Sequence, residues 1–294
     1  MGRQRSKSPK CNYPHIRRKQ QCGATEPNKM RLDKYLTDNN FFPSREKAQT
    51  AIKHETVMVD GRIVTKASMD ITEVMRVEVI DLFNKYVSMG GLKLEKAIKD
   101  FGLDFAGKTV LDIGASTGGF TDCALQHGAA SVTAVDVGTA QLVDSLRDHP
   151  KVTVFENMDV RDLTAEDVEN QKFDFIVSDV SFISLTYIIP YIDPFLKPDG
   201  QMMFLIKPQF EAGQSFLNKS GIVTDEKGYK TAIQKVVSCA LNHRYYLQKL
   251  AMSTLFEKQK NVEFLALFSR VPSRYEPDFA ALFQEVKAVK KELR

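Results

Sequence analysis

The run from Val110 to Asp122 carries the clearest chemical signal in this chain. An apolar strand ends at Ile113, a turn holds Gly114, Ala115, Ser116, Gly118 and Gly119, and a helix opens at Phe120. This is the shape of a nucleotide-type ligand site, because glycines let the backbone approach the ligand and a helix N-terminus lies beside it. A dinucleotide turn would be spaced G-x-G-x-x-G, for close contact with a pyrophosphate. Here Asp112 precedes Gly114 by two, and three residues separate Gly114 from Gly118. That D-x-G-x-x-x-G spacing suits S-adenosylmethionine better. Asp136 ends the next apolar run, 24 residues after Asp112, where an acid can accept hydrogen bonds from a ribose diol. Asp159 follows the third run and is placed to face a base edge.

A second group of charges ends other apolar runs. Asp179 follows Phe173–Ser178, Lys207 follows Met202–Ile206, Glu263 begins the last run, and Lys93 lies on a helix ahead of them all. A lysine closing an apolar strand is unusual, since burying an ammonium is costly unless it is paired. Two lysines and two acids suit methyl transfer to a ribose 2′-hydroxyl, a poor nucleophile until its proton leaves. A lysine serves as the base when burial or a second ammonium favours its neutral form. The acids orient the lysines and oppose that change. No His, Cys or carboxylate cluster calls for a metal.

The elements that must position these residues alternate. Strands are expected over Thr109–Ile113, Ser131–Asp136, Val152–Phe155, Phe173–Ser178, Met202–Ile206, Tyr246–Ala251 and Val262–Phe268. Helices are expected over Leu92–Phe101, Phe120–His127, Ala140–Leu146, Leu185–Phe195, Glu226–Asn242 and Asp278–Leu293. That rhythm predicts an α/β fold with a doubly wound, mostly parallel sheet, whose ligand sits outside the carboxyl ends of the strands. A smaller α/β unit precedes it over 30–82. It has a helix over Arg31–Asn39, a second helix capped by Ser44 and running to Lys53, and a hairpin turning at Asp60-Gly61. Residues 83–92 read as a linker, 93–294 as the large domain, and 1–29 as a disordered basic arm.

The 294 residues are enough for two domains. The net charge of +4 is uneven: residues 1–29 carry +7 and the remainder −3. Such an arm suits a polyanion. No apolar run approaches the roughly 18–20 residues of a membrane span, and no apolar segment follows the basic start as in a secretory signal. Four widely spaced cysteines read as reduced thiols of a cytoplasmic protein, and Cys11, His15 and Cys22 fit no standard zinc spacing.

Lys93, Asp179, Lys207 and Glu263 fall where FtsJ-like ribose 2′-O-methyltransferases carry a K-D-K-E tetrad. The wider motifs resemble the haemolysin A (TlyA) family: Arg31-Leu32-Asp33-Lys34-Tyr35-Leu36, Val59-Asp60-Gly61, Lys85-Tyr86-Val87-Ser88, Gly90-Gly91-Leu92-Lys93-Leu94, Asp112–Asp122, and Ile206-Lys207-Pro208-Gln209-Phe210-Glu211. The resemblance covers residues 30 to about 270. It implies an S4-type RNA-binding domain joined to a Rossmann-like, S-adenosylmethionine-dependent methyltransferase that modifies the ribose of ribosomal RNA at a cytidine, free or in ribosomal subunits. It makes Lys207 the base, with Lys93, Asp179 and Glu263 positioning the hydroxyl. It implies cofactor contacts from Asp112, Gly114, Ala115, Ser116, Gly118, Gly119, Phe120, Asp136, Asp159 and Val160. It places Arg31, Lys34, Arg45, Lys47 and Lys53 on RNA phosphates. Residues 30–88 hold nine bases and nine acids, so an RNA face there must come from segregation of charge. Met89 stands where the family usually has arginine. Competing readings are a ribosome-assembly module with a vestigial pocket and a membrane-lysing haemolysin.

Overall fold

The computed structural model describes residues 16–18, 29–42, 44–53, 56–72, 75–80, 85–253 and 260–292. The rest of residues 1–28, with Cys11, His15 and Cys22, lies outside the described residues. The chain divides into two compact units, Met1–Lys85 and Tyr86–Arg294.

In the first unit β1 (Ile16–Arg18) and β2 (Met30–Arg31) lead into α1 (Leu32–Asp38) and α2 (Arg45–Lys53). β3 (Val57–Val59), β4 (Arg62–Ile63), β5 (Asp70–Ile71) and β6 (Val77–Ile80) follow. Ser44 Oγ accepts from the Lys47 N–H, which caps α2 as expected. Asp60 and Gly61 both take positive φ, +50° and +73°, so the β3–β4 hairpin turns through a mirror-image turn that follows strand twist. Residues 16–18 correct the expectation of a wholly disordered arm. They add a strand antiparallel to β6, whose edge would otherwise be open, giving the sheet β1-β6-β3-β4. Leu32, Leu36, Phe42, Ala48, Ile52, Val57, Ile71 and Val79 form the core between the helices and this sheet.

In the second unit α3 (Gly90–Phe101) precedes β7 (Thr109–Ile113), α4 (Gly119–Gln126), β8 (Ser131–Val135), α5 (Asp144–Arg147) and β9 (Val152–Phe155). Then come β10 (Phe173–Ser178), β11 (Leu196–Ile206), the single-turn α6 (Pro208–Glu211), α7 (Glu226–Asn242), β12 (Tyr246–Met252), β13 (Phe264–Ser269) and α8 (Phe279–Glu292). The sheet order is β12-β13-β11-β10-β7-β8-β9, and every pairing is parallel except the two made by β13. Strand residues alternate between two buried faces. Leu111, Ile176, Met202 and Phe204 pack with α7 and α8, while Val110, Phe175, Val177 and Met203 pack with α3 and α4. Among the described residues no helix is long and apolar enough to cross a membrane.

Four expected elements differ, β11 beginning at Leu196 rather than at Met202. Tyr86 to Leu92, read as the end of a linker, is packed: Tyr86 and Leu92 are buried and α3 opens at Gly90. The helix expected over Ala140–Leu146 shrinks to α5, because Ala140 takes φ +53° and the N–H groups of Ala140, Gln141 and Leu142 donate to the Glu156 carboxylate. The helix expected over Leu185–Phe195 becomes three 3₁₀ turns, since Pro190 and Pro194 each remove a donor and disfavour a helical residue before them.

A Cβ added to Gly91, inside α3, would overlap the buried ring of Tyr86. Helix propensity alone favours alanine over glycine by about 1 kcal/mol. Overpacking costs about 1–3 kcal/mol. Gly91→Ala is therefore expected to lower unfolding stability in a urea titration; a gain would show that α3 can shift to make room.

Candidate active site

The carboxyl ends of the parallel strands converge on the switch point where the order reverses beside β7. The turn after β7 lies there. Gly114 has φ +79°, and a Cβ on it would come within 2.8 Å of the Val180 side chain. Ser116 and Gly118 also take positive φ. Asp136 leaves the end of β8 and accepts from the backbone N–H of Ser116 (2.8 Å) and of Gly138 (2.7 Å), so it fixes the turn opposite it.

Two adjoining cavities flank this turn. The larger, about 360 Å³, is lined by Gly114, Ser116, Asp136, Asp159 and Val160, with Met158, Val180 and Ile188 supplying apolar wall. The smaller, about 170 Å³, is lined by Ser88, Gly90, Ala115, Gly119, Phe120, Asp179, Ser181 and Lys207. Gly114, Ser116, Asp179 and Ser181 border both. Asp159 is held by Arg161, which donates from Nε at 3.0 Å and from Nη2 at 2.6 Å; that bond holds its carboxyl below the usual range.

Two residues of the expected cofactor set line neither cavity. Gly118 packs its backbone against Leu142 and Leu146, where a side chain would collide. Asp112 is wholly buried; its Oδ2 accepts from the Thr121 hydroxyl at 2.7 Å, tying β7 to α4, and its Oδ1 has no partner.

Lys93, Asp179, Lys207 and Glu263 form one chain of ion pairs, of which Asp179 and Lys207 line the smaller cavity. Lys207 Nζ is 2.8 Å from Asp179 Oδ1, Lys93 Nζ is 3.5 Å from Asp179 Oδ2, and Lys93 Nζ is 2.7 Å from Glu263 Oε2. The Lys207–Asp179 contact is an ion pair set off the line a hydrogen bond requires. Glu263 reaches this edge because β13 runs against its neighbours, bringing its first residues beside the carboxyl ends of β10 and β11. All four side chains are at most 19 % exposed, so the charges lie largely out of water. Burial disfavours the charge on Lys93, but Asp179 and Glu263 together outweigh it, and its pKa is raised.

Further residues complete the site. Lys207 Nζ donates to Ser181 Oγ at 2.6 Å and to the Asp179 carbonyl at 3.4 Å. Ser181 stands two residues after a strand-end acid, which is the signal that marks it. Glu211, at the end of α6, accepts from the Leu185 N–H at 2.7 Å and from the Ser184 hydroxyl, with Lys235 3.5 Å away. Burial raises the Glu211 carboxyl. It clips the Ser181–Leu185 loop to the turn that carries Lys207. Phe182, 92 % exposed at φ +66°, projects from that loop beside Phe210.

In the first unit Arg31 and Arg45 are half-exposed and both bond Asp33. Lys34 pairs with Asp38 across one helical turn, and Lys47 lies exposed on α2. Lys53 closes α2, and its side chain lies outside the described residues.

The S4 domain family matches residues 30–77, and the family described as FtsJ-like methyltransferase matches residues 86–270. Hemolysin A of Brachyspira hyodysenteriae is 42 % identical over 81 % of this chain and 99 % of its own. The 16S/23S rRNA (cytidine-2′-O)-methyltransferase TlyA of Mycobacterium tuberculosis is 34 % identical over 80 % of this chain and 87 % of its own. A solved Streptococcus thermophilus protein that carries the hemolysin name is 34 % identical, covers 91 % of this chain and 100 % of its own, and superposes with a TM-score of 0.68.

The environment of Asp112 has a measurable consequence. Desolvation pushes its carboxyl up to about 7, against roughly 3.9 in an unfolded chain. The folded state therefore binds the proton more tightly, and the stability this gives is full below about pH 4 and lost as pH rises through 7. Asp112→Asn removes the titration and keeps an acceptor for Thr121. Relative to the wild type, its thermal midpoint is expected to stand higher at pH 8.5 than at pH 5, a difference worth about 2–4 kcal/mol. Identical offsets at the two pH values would mean that the buried carboxyl is not held protonated.

Proposed function

The chain belongs to the FtsJ-like methyltransferase family, and from that premise we propose that it moves the methyl group of S-adenosylmethionine to a ribose 2′-hydroxyl of ribosomal RNA, at a cytidine. One observation carries this reading: an alternating chain of charges, Lys207–Asp179–Lys93–Glu263, reaches through Lys207 and Asp179 a cavity that opens at a glycine turn.

The residues present fit the cofactor. The larger cavity has carboxylates at Asp136 and Asp159, suited to a ribose diol and to the donors of a base edge, and an apolar wall suited to a flat ring. At Gly114 a Cβ would fill the approach. The smaller cavity leads from that turn to Lys207. When bound, S-adenosylmethionine supplies an electrophilic methyl on a positively charged sulfur.

The chain's own groups then handle one proton. Methyl transfer would join the 2′-oxygen to the methyl carbon as the sulfur–methyl bond breaks, so the hydroxyl proton would have to pass to a base of the chain. Of the two lysines, Lys93 is poorly suited: two carboxylates hold it as an ammonium. Lys207 has one carboxylate, one carbonyl and one hydroxyl as neighbours. A serine hydroxyl can accept from an ammonium or donate to an amine, so Ser181 accommodates both states. Lys207 Nζ is the group that takes the proton of the 2′-hydroxyl. Lys93, itself held by Glu263, keeps Asp179 in place. The S4 domain supports RNA as the carrier of that ribose.

Lys207→Ala is expected to lower transfer of labelled methyl to ribosomal RNA or subunits by about 10²–10⁴, the usual worth of a general base. Cofactor affinity by calorimetry should change only a few-fold. Full activity in this variant would sink the assignment of Lys207. Loss of cofactor binding would move its role to the cofactor site.

A further inference from the structure

We propose that Asp33 is the positioning residue of a two-arginine seat for one RNA backbone phosphate in the first unit. The inference rests on the ribosomal RNA reading above. Asp33 is an acid on the first turn of α1, and its side chain is wholly buried while its partners are about half exposed: 0 % against 48 % for Arg31 and 51 % for Arg45. Arg31 donates to it from Nε (3.1 Å) and Nη2 (2.9 Å), and Arg45 donates from Nη2 (3.0 Å). Gln49 Nε2 donates at 2.7 Å and the Lys34 N–H at 2.8 Å. Both guanidiniums and the Gln49 amide therefore converge on one carboxylate, three of these bonds ending on the same Oδ2.

A guanidinium has five N–H donors in a rigid fork, so each arginine keeps most of its donors for solvent or a ligand. Arg31 comes from β2 and Arg45 from α2, and neither element fixes the other's side chain. The shared acid does. The two forks end up within one phosphate's reach of each other, which matches the paired N–H···O contacts that arginines make to phosphate oxygens.

Net charge does not explain this arrangement. Asp70 lies across from Arg31 in the β2–β5 pairing and adds to its negative surroundings, so two arginines face two acids. Residues 30–88 hold equal numbers of bases and acids, the surplus of positive charge lying in residues 1–29. Lys34 is engaged by Asp38, and such exposed pairs are worth little. What the seat offers is orientation: several donors held in place before the ligand arrives.

Replacing Asp33 separates orientation from charge, because the two predict opposite signs. Asp33→Asn removes a negative charge. If charge alone binds RNA, the variant binds at least as tightly and with a steeper salt dependence. If Asp33 positions the arginines, it binds about tenfold more weakly at 0.15 M salt, as an unorganised charge-assisted contact would. The measurement is filter binding of the full chain to purified total ribosomal RNA over a salt series. Arg45→Lys keeps the charge and a partner for Asp33, so it reports on the seat even if Asp33→Asn disturbs the fold. It is expected to weaken binding several-fold, and Arg31→Lys combined with it should add little, since both arginines hold the same phosphate. Unchanged or tighter binding by Asp33→Asn in a folded protein, or by Arg45→Lys, overturns the seat. No binding of ribosomal RNA by the wild type overturns both the seat and the RNA reading.

Discussion

One carboxylate, Asp179, lies between two ammonium groups at the edge of the sheet, and the second unit is arranged to keep it there. Lys93 comes from a helix, Lys207 from the end of β11, and Asp179 from the end of β10. Glu263 closes the series and can do so only because β13 is reversed; a seventh parallel strand would place its first residue at the far edge. Charges this far from water are tolerated only in pairs, and removal of one partner leaves the other uncompensated. The ion chain thus constrains strand direction and strand end together. It also fixes where α3 may sit.

Glycine makes that placement of α3 possible. A Cβ on Gly91 would overlap Tyr86, and one on Gly119 would overlap Ser88 and approach the backbone of Gly91. The first turns of α3 and α4 therefore meet backbone to backbone, which sets Lys93 and the glycine turn side by side. Met89 stands at the N-cap of α3 and packs partly against the core of this face. The site depends on the same packing that stabilises the fold.

Much of this was legible from residue pattern. The strands alternate between two buried faces and so read as apolar runs, and each run ends in the residue that reaches the site: Asp136, Asp179, Lys207. Glu226–Asn242 forms the helix its period implies. The errors have local causes. Pro190 and Pro194 break an apolar period into 3₁₀ turns, and Glu156 takes the N–H groups that would have opened a helix at Ala140. Ser181, Arg161 and Glu211 went unassigned because each acts through a neighbour fixed only in three dimensions. Asp112 looked like a ligand contact because it precedes the glycine turn, yet alternation along β7 turns it inward to Thr121.

The two units use one device for different ends. In each, a carboxylate is shared by two cations from separate elements: Asp33 by Arg31 and Arg45, Asp179 by Lys93 and Lys207. The cations decide the outcome. Guanidinium keeps its proton at any pH a protein meets, so Arg31 and Arg45 cannot exchange one, and their forks are half-exposed. An amine can lose a proton, and lysine does so when burial and charge favour it. Lys207 is the most buried of the cations in these two clusters, 9 % exposed against 16 % for Lys93. Exposure with arginine makes a surface that holds an anion; burial with lysine makes one that can exchange a proton. A lysine at Arg45 would lose the fork, and an arginine at Lys207 would lose a group able to give up its proton. The residue types are therefore not interchangeable between the units, although each acid is shared by two cations.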